Sequence, residues 1–250
     1  MKNKVIIIVG GTSGVGKKTA LELLSLGSKV VVSDLMEVLP KDSELTRYER
    51  TSSFQYIRAD LREIDDCKRL VESAIHRFHR VDGFFHYAGV THAEELIDLS
   101  ERTHDEIFNV NVKSALFCLK YILPIMKETG GSIVMTGSPH AWSGDFDRVS
   151  YACSKGATMT LTHHIARNYA KFGIRANIIT MGWTPTEGEI ALRKKQGVSE
   201  SELREMASEV IPMGRMTEIE DIVPTILFLL SDQSRMVSGA NLRITGGWYI

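Results

Sequence analysis

The fold is decided by the stretch Val5-Ile6-Ile7-Ile8-Val9-Gly10-Gly11-Thr12-Ser13-Gly14-Val15-Gly16 near the start of the chain. The run Val5–Val9 is entirely β-branched, which is typical of a strand buried on both faces of a parallel sheet. Glycines then break the run, and apolar residues at helical spacing follow over Thr19–Leu26. The stretch therefore predicts a strand, a tight turn and a helix in immediate succession.

The spacing of the glycines in that turn indicates a chemical role. Gly10, Gly14 and Gly16 form the pattern GxxxGxG directly before the helix. Such a turn lets backbone N–H groups and the helix N-terminus approach a pyrophosphate, and a side chain at these glycines would obstruct it. A tight turn without a ligand is the alternative interpretation, but the strand before and the helix after favour dinucleotide binding.

The rest of the chain continues the alternation of strands and helices. Further strands are predicted over Lys29–Ser33, Phe54–Ala59, Val81–His86, Ser132–Thr136, Ile174–Ile179 and Asn241–Ile244. Helical spacing is present over Cys67–Phe78, in one long helix over Ser100–Met126, and over Ser150–Phe172 and Glu218–Leu230. The alternation predicts an α/β fold of the Rossmann type: one doubly wound parallel sheet of about seven strands, with helices on both faces, in a single domain over residues 1–250.

Residues 180–216 depart from this regular pattern. We expect them to be irregular, with short helical patches at Glu187–Lys195 and Ser201–Ser208. A long loop inside a compact domain usually has a function. The segment from about 182 to 216 is therefore predicted to be a substrate loop or lid over the site.

Composition excludes several classes of function. The 250 residues carry a formal charge of −1, so we expect binding neither to nucleic acid nor to a membrane. No apolar run approaches the ~18 residues needed to span a bilayer. The three cysteines are widely spaced, which favours a reducing cytoplasmic location over a disulfide framework, and no histidine has a ligand partner at metal spacing. We therefore expect a cytoplasmic protein without a catalytic metal.

Asp34 suggests which dinucleotide is bound. It ends the second predicted strand, 18 residues after Gly16, near the ~20 expected of a carboxylate that accepts from the adenosine ribose hydroxyls. A carboxylate there repels a 2′-phosphate, and the neighbouring positions Ser13 and Leu35 offer no cation. NAD is therefore predicted over NADP, although Lys17 and Lys18 remain available to a phosphate and a helix-capping aspartate is the alternative.

Tyr151 and Lys155 lie four residues apart, on one face of a predicted helix. A free tyrosine titrates near pH ~10, and an adjacent ammonium lowers its pKa. The resulting phenolate could take the proton of a substrate alcohol as hydride leaves its carbon. Ser138, after the strand Ser132–Thr136, would face the same crevice and hold the substrate oxygen. Asn111 lies inside the long helix, where it is either a surface residue or the anchor of a proton relay.

These motifs together resemble those of the short-chain dehydrogenase/reductase family, and the resemblance runs essentially from end to end. It implies a catalytic tetrad of Asn111, Ser138, Tyr151 and Lys155, with tyrosine as acid/base and lysine on the nicotinamide ribose. It also implies a homo-oligomer, with a tetramer favoured and the two long helices as interfaces. The cofactor contacts that we predict are Gly10, Thr12, Ser13, Gly14, Val15, Gly16, Asp34, Asp60, Leu61, Ala88, Gly89, Tyr151, Lys155, Gly182, Thr184 and Thr186.

The chain departs from the family pattern at four places. Val9 replaces the usual threonine, His86-Tyr87 replaces Asn-Asn, Met181 replaces proline, and Thr245 replaces aspartate. Tyr87 is the largest change, because it puts side-chain hydrogen bonding at the end of the fourth strand in doubt. None of the four removes a group of the tetrad.

The loops at the strand ends are polar and aromatic, so we expect a sugar, a polyol or a similarly polar secondary alcohol as the small-molecule substrate. The residues predicted to contact it are Ser138, His140, Tyr151 and Trp183. Two alternatives remain open: an NADP-dependent 3-ketoacyl-type reductase, and a catalytically silent NAD-binding sensor.

Overall fold

The computed structural model describes residues 1–249 and has one parallel sheet of seven strands at its centre. The strand order is β3-β2-β1-β4-β5-β6-β7, and every neighbouring pair is parallel. The strands are β1 Val5–Val9, β2 Lys29–Asp34, β3 Phe54–Arg58, β4 Gly83–His86, β5 Gly131–Gly137, β6 Ile174–Met181 and β7 Asn241–Ile244. The order reverses between β1 and β4, and ligands bind at this kind of switch point. The predicted Rossmann-type fold is confirmed.

Helices cover both faces of the sheet. They are α1 Gly14–Ser25, α2 Ile64–Phe78, α3 Glu101–Phe108, α4 Ser114–Thr129, α5 His140–Ser143, α6 Val149–Asn168, α7 Glu187–Lys195, α8 Glu200–Val210 and α9 Ile219–Leu230. None of the helices formed by residues 1–249 is long and apolar enough to cross a membrane.

The continuous apolar run of β1 follows from this two-sided covering. Ile6 and Ile8 belong to the core that α1 and α9 close. Val5, Ile7 and Val9 belong to the opposite core, which α2, α4 and α6 close. Because side chains alternate along a strand, a strand covered on both faces needs apolar residues at every position.

The prediction of one continuous helix over Ser100–Met126 is wrong. The structure has α3, then a π-helical turn at Asn109–Lys113, and then α4. One such wide turn shifts the helical phase, and wide turns of this kind occur frequently at functional sites. Here the turn contains Asn111, which is buried.

The segment 180–216 has helices at both of the predicted helical patches, and the second is a little longer than expected. It contains α7 and α8, and each has a side-chain N-cap. Thr186 accepts from the backbone N–H of Glu189, and Ser199 forms a capping box with Glu202. α8 packs on a small apolar cluster around Leu203.

Candidate active site

Two adjoining clefts open at the carboxyl ends of the strands. The glycine-turn cleft is lined by Gly10, Ser13, Asp34, Asp60, Leu61, Ala88, Gly89, Lys155 and Thr186, among others. The tryptophan cleft is lined by Ser138, His140, Gly182, Trp183, Thr184 and Trp248, among others. Tyr151 lines both clefts. The structure therefore brings most of the predicted cofactor and substrate residues to one edge of the sheet, with Tyr151 at the junction.

In the glycine turn, the backbone at Gly10 and Gly16 packs closely against backbone atoms of other residues. Gly10 has φ +76°, and a Cβ there would lie 2.8 Å from the backbone nitrogen of Ala88. A Cβ on Gly16 would collide with the Gly10 carbonyl oxygen and lie 2.9 Å from the Tyr87 ring. Residues with side chains are therefore excluded at both positions. The turn leaves the N-terminus of α1 facing the cleft, which fits the pyrophosphate of a dinucleotide.

A carboxylate from the chain itself lies at that N-terminus. Glu187, the first residue of α7, accepts a hydrogen bond from the Gly14 N–H at 2.9 Å and one from Lys17 Nζ at 3.2 Å. The donors at the start of α1 thus bind an anionic oxygen group, as a phosphate would require. A pyrophosphate at the same donors would have to displace Glu187, since two anions cannot share them.

We expect Glu187→Gln to bind NADH more tightly than the wild type, with a Kd lower by roughly two- to fivefold, because removing the charge weakens the competing contact by on the order of 1 kcal/mol. Titration of NADH fluorescence measures the change. Glu205→Gln, an exposed change on α8, is the control. Unchanged or weaker binding in Glu187→Gln would show that the carboxylate does not compete.

Asp34 is held in place at the end of β2. One carboxylate oxygen accepts from the Thr12 hydroxyl, and the other accepts from the Leu35 N–H at 2.8 Å. The structure also places a cation beside Asp34, since Arg58 is its strand partner in β3. Arg58 is distant from Asp34 in the sequence, so the residues adjacent to Asp34 do not indicate this cation. Its guanidinium is paired with Glu37 at 3.4 Å. Arg62, which lines the glycine-turn cleft, is paired with Asp60 at 2.6 Å.

The catalytic pair has the expected helical arrangement on α6. Lys155 Nζ lies 5.6 Å from the centroid of the Tyr151 ring and donates to the Thr136 carbonyl at 2.9 Å. The lysine is almost fully buried, and burial lowers its pKa to about 8. An ammonium group with a pKa this close to neutral can release and regain a proton near neutral pH.

The expected lowering of the Tyr151 pKa is wrong for this structure. Burial raises the pKa of the phenol, and a hydrogen bond with Ser138 and the charge of Arg148 only partly oppose it. The physical reason is that desolvation penalises the phenolate more than these two groups stabilise it. Tyr151 is therefore a neutral phenol near neutral pH, ready to donate a proton.

Asn111 lies behind the cleft rather than at its surface. Its Oδ1 accepts from the Val90 N–H at 2.9 Å, and its Nδ2 donates to the Val90 carbonyl and the Ser154 hydroxyl, each at 3.0 Å. The π-helical turn directs this side chain inward, where it connects the turn to the loop after β4 and to α6. Its position close to Lys155 fits a supporting role, since a Cβ on Gly89 would lie within 3.6 Å of both Asn111 Oδ1 and Lys155 Nζ.

The two departures at the end of β4, His86 and Tyr87, are accommodated by packing. His86 is buried, with Nε2 2.6 Å from the Ser114 hydroxyl, and burial together with the charge of Lys155 lowers its pKa to about 3. The Tyr87 ring covers the glycine turn, and burial raises its pKa to about 12. Both groups are therefore neutral near pH 7, and Tyr87 contributes a hydroxyl beside Gly14.

The tryptophan cleft combines an aromatic wall with polar groups. The Trp183 and Trp248 rings stack with centroids 5.9 Å apart. Trp183 Nε1 donates to Glu189 at 2.7 Å, which also accepts from Arg193 Nε at 2.8 Å. Aromatic faces can cover the C–H face of a sugar or polyol while the rim binds its hydroxyls.

Four of the predicted contacts, Thr12, Gly14, Val15 and Gly16, do not line either cleft. The Val15 side chain is in the core, Thr12 binds Asp34, and Gly14 and Gly16 can contribute only backbone atoms. The sequence indicates that Glu187 and Trp248 lie near the substrate site, and Trp248 does line the tryptophan cleft. It does not indicate that the Glu187 carboxylate reaches the start of α1, nor that the charge of Arg148 acts on the Tyr151 phenol.

No group of three or more His, Cys, Asp or Glu side chains within residues 1–249 is placed to hold a metal ion. The sheet, the glycine turn and the Tyr151–Lys155 pair define a nicotinamide-dependent oxidoreductase as the class of protein.

A family model described as enoyl-(acyl carrier protein) reductase matches residues 9–249. The chain is 30% identical over 250 residues to 2-dehydro-3-deoxy-D-gluconate 5-dehydrogenase of Escherichia coli strain K12, covering 99% of this chain and 96% of that protein. It is also 30% identical over 255 residues to a 3-oxoacyl-(acyl-carrier-protein) reductase of Thermotoga maritima, covering 100% and 99%. The structure resembles that of levodione reductase with a TM-score of 0.90, 27% identity and coverage of 99% and 98%. The chain belongs to the short-chain dehydrogenase/reductase family, whose members bind nicotinamide cofactors and act on CH–OH and C=O groups.

Proposed function

We propose that this protein transfers a hydride between NAD and a secondary alcohol or its ketone, with a sugar, a polyol or another polar alcohol as substrate. The observation that carries the proposal is the position of Tyr151 at the junction of the two clefts. The relative from Escherichia coli, whose name describes a sugar-acid dehydrogenase, and the polar tryptophan cleft support a polar substrate.

The residues of the chain would divide the reaction between them. The nicotinamide supplies or accepts the hydride when the cofactor is bound. Ser138 would hold the substrate oxygen beside the Tyr151 phenol. In ketone reduction the Tyr151 O–H gives its proton to that oxygen, and in alcohol oxidation the phenolate takes the hydroxyl proton. Lys155, buried against the Thr136 carbonyl, stabilises the phenolate with its positive charge.

An absorbance assay of NAD reduction across sugars, polyols, hydroxy acids and steroids tests the substrate class. We expect turnover among the polar alcohols. Turnover confined to steroids or long acyl chains would contradict the proposal.

The second candidate is an NADP-dependent 3-ketoacyl-type reductase, which the similarity to the Thermotoga maritima reductase favours. An acetoacetyl thioester assayed with NADPH tests this candidate in the same screen.

The choice of NAD rests on Asp34, and we expect Asp34→Ser to lower the ratio of kcat/KM for NAD over NADP by roughly 10- to 100-fold. The change removes an ionised acceptor for the ribose, worth about 1.5–3 kcal/mol, and removes the charge that repels a 2′-phosphate. It also leaves Arg58 beside the vacated position.

Initial rates with both cofactors measure this ratio, and Asp42→Ser, an exposed change in the same half of the chain, is the control. A wild-type protein that uses NADP as well as NAD would contradict the assignment to Asp34.

We also propose that the domain acts as a homo-oligomer, with a tetramer favoured and α4 and α6 as interfaces, and that residues 182–216 form the substrate lid. Leu116 on α4 supports the interface, because 46% of this apolar side chain is exposed in the monomer. Light scattering on the purified protein tests the assembly.

The three free cysteines support a reducing, cytoplasmic location.

A further inference from the structure

A histidine held by a carboxylate lies next to the catalytic tyrosine. His140 begins α5, two residues after Ser138, and its ring stands edge-on to the Tyr151 ring with centroids 5.7 Å apart. Both rings line the tryptophan cleft. The proposed mechanism uses Ser138 and Tyr151 for the reacting oxygen, so the imidazole beside them has no part in that step.

Asp145 fixes the orientation of this imidazole. Its Oδ2 accepts from His140 Nδ1 and from the Ser143 hydroxyl, and its Oδ1 accepts from the Tyr249 hydroxyl at 3.1 Å. The Tyr249 carbonyl in turn accepts from Trp142 Nε1 at 3.0 Å. These bonds tie α5 to the end of the chain and hold the ring in one position.

The same contact decides which atom of His140 is available to a ligand. An ionised carboxylate only accepts hydrogen bonds, so Nδ1 carries the hydrogen and Nε2 of the neutral ring carries a lone pair. Within residues 1–249, Nε2 makes no hydrogen bond. The cleft thus holds an oriented acceptor beside the groups that hold the reacting oxygen.

We propose that His140 Nε2 accepts a hydrogen bond from a hydroxyl on the carbon next to the reacting carbon, so that the substrates are vicinal diols and the corresponding α-hydroxy ketones. This inference rests on the proposed function and names the substrate class of the same site. The stacked Trp183 and Trp248 rings would cover the apolar face of such a molecule. His140 is a specificity residue here, since proton transfer to the reacting oxygen is assigned to Tyr151.

The test compares two probes that differ in one hydroxyl group, cis-1,2-cyclohexanediol and cyclohexanol. Their affinities for the NADH-bound protein are measured by tryptophan fluorescence, and their oxidation is measured with NAD. We expect the wild type to prefer the diol by at least about tenfold, the value of one well-made hydrogen bond. In His140→Leu this preference should fall to within about twofold.

Two further variants make the result specific. His140→Gln keeps a side-chain acceptor and should retain part of the preference even if His140→Leu folds poorly. His163→Leu, an exposed change on α6, should keep all of it. An unchanged preference in both His140 variants, or equal binding of the two probes by the wild type, would overturn the inference. A diol preference in binding, with no turnover of any alcohol in the screen of sugars, polyols, hydroxy acids and steroids, would instead refute the proposed function alone.

Discussion

Tyr151→Phe is expected to lower kcat by about 10³-fold while leaving the Kd for NADH within about twofold of the wild type. The variant keeps the ring, which packs edge-on against His140, and removes only the oxygen that carries the proton. Because only the hydroxyl group is removed, the change leaves no large cavity, and the fold should be retained. The measurements are initial rates on the best polar alcohol and titration of NADH fluorescence.

The pH dependence of the wild-type rates provides a second test of the role of Tyr151. Because burial raises the Tyr151 pKa, alcohol oxidation, which needs the phenolate, should accelerate as pH rises from neutral to about 8, above which Lys155 loses the charge that stabilises the phenolate. Ketone reduction, which needs the phenol, should stay nearly constant over the same range, because Tyr151 remains protonated there. Tyr169→Phe, at the end of α6, is the control and should alter neither rate. A kcat for Tyr151→Phe within tenfold of the wild type would remove Tyr151 from the mechanism.

The sequence predicts well those features that depend on neighbours along the chain. The β-branched run of β1 and the glycines after it have one stable arrangement in a sheet covered on both faces, so strand, turn and helix follow from local pattern. The spacing of Tyr151 and Lys155 likewise places both on one face of α6 because four residues are about one helical turn.

Features that depend on distant contacts were not predictable in this way. Glu187 and Gly14 are separated by 173 positions, and only the folded chain brings the carboxylate to the start of α1. The π-helical turn at Asn109–Lys113 depends on packing around Asn111, since no residue in it breaks a helix by itself. The Tyr151 pKa depends on burial, which a motif does not report, and so its direction was predicted wrongly.

Lys155→Met is expected to abolish most activity and to make the protein more stable at neutral pH. The loss of kcat should again be on the order of 10³-fold, because Tyr151 loses the charge that stabilises its phenolate. The gain in stability follows from burial, which lowers the lysine pKa from 10.5 to about 8 in the folded protein. At 1.36 kcal/mol per pKa unit, keeping this buried group charged costs roughly 3 kcal/mol.

Methionine has a similar length and no charge, so it removes that cost. The change also deletes the hydrogen bond from Nζ to the Thr136 carbonyl, which is worth about 1 kcal/mol. The desolvation cost is the larger of the two, so we expect a higher Tm in Lys155→Met at about pH 7. Lys171→Met, which removes an exposed lysine, is the matched control and should leave Tm unchanged within about 1 °C.

The pH dependence of the Lys155→Met effect separates desolvation from simple repacking. Below pH 8 the lysine is protonated in both the folded and the unfolded chain, so the wild type bears the full cost. Between about 8 and 10.5 the unfolded chain still binds the proton while the folded protein has released it, so wild-type stability rises with pH across this window. The advantage of Lys155→Met should therefore shrink as pH rises from about 7 to about 10, as thermal or urea unfolding of both proteins would measure. An advantage that stays constant across the window would mean that better packing, and not the removal of a buried charge, stabilises the variant.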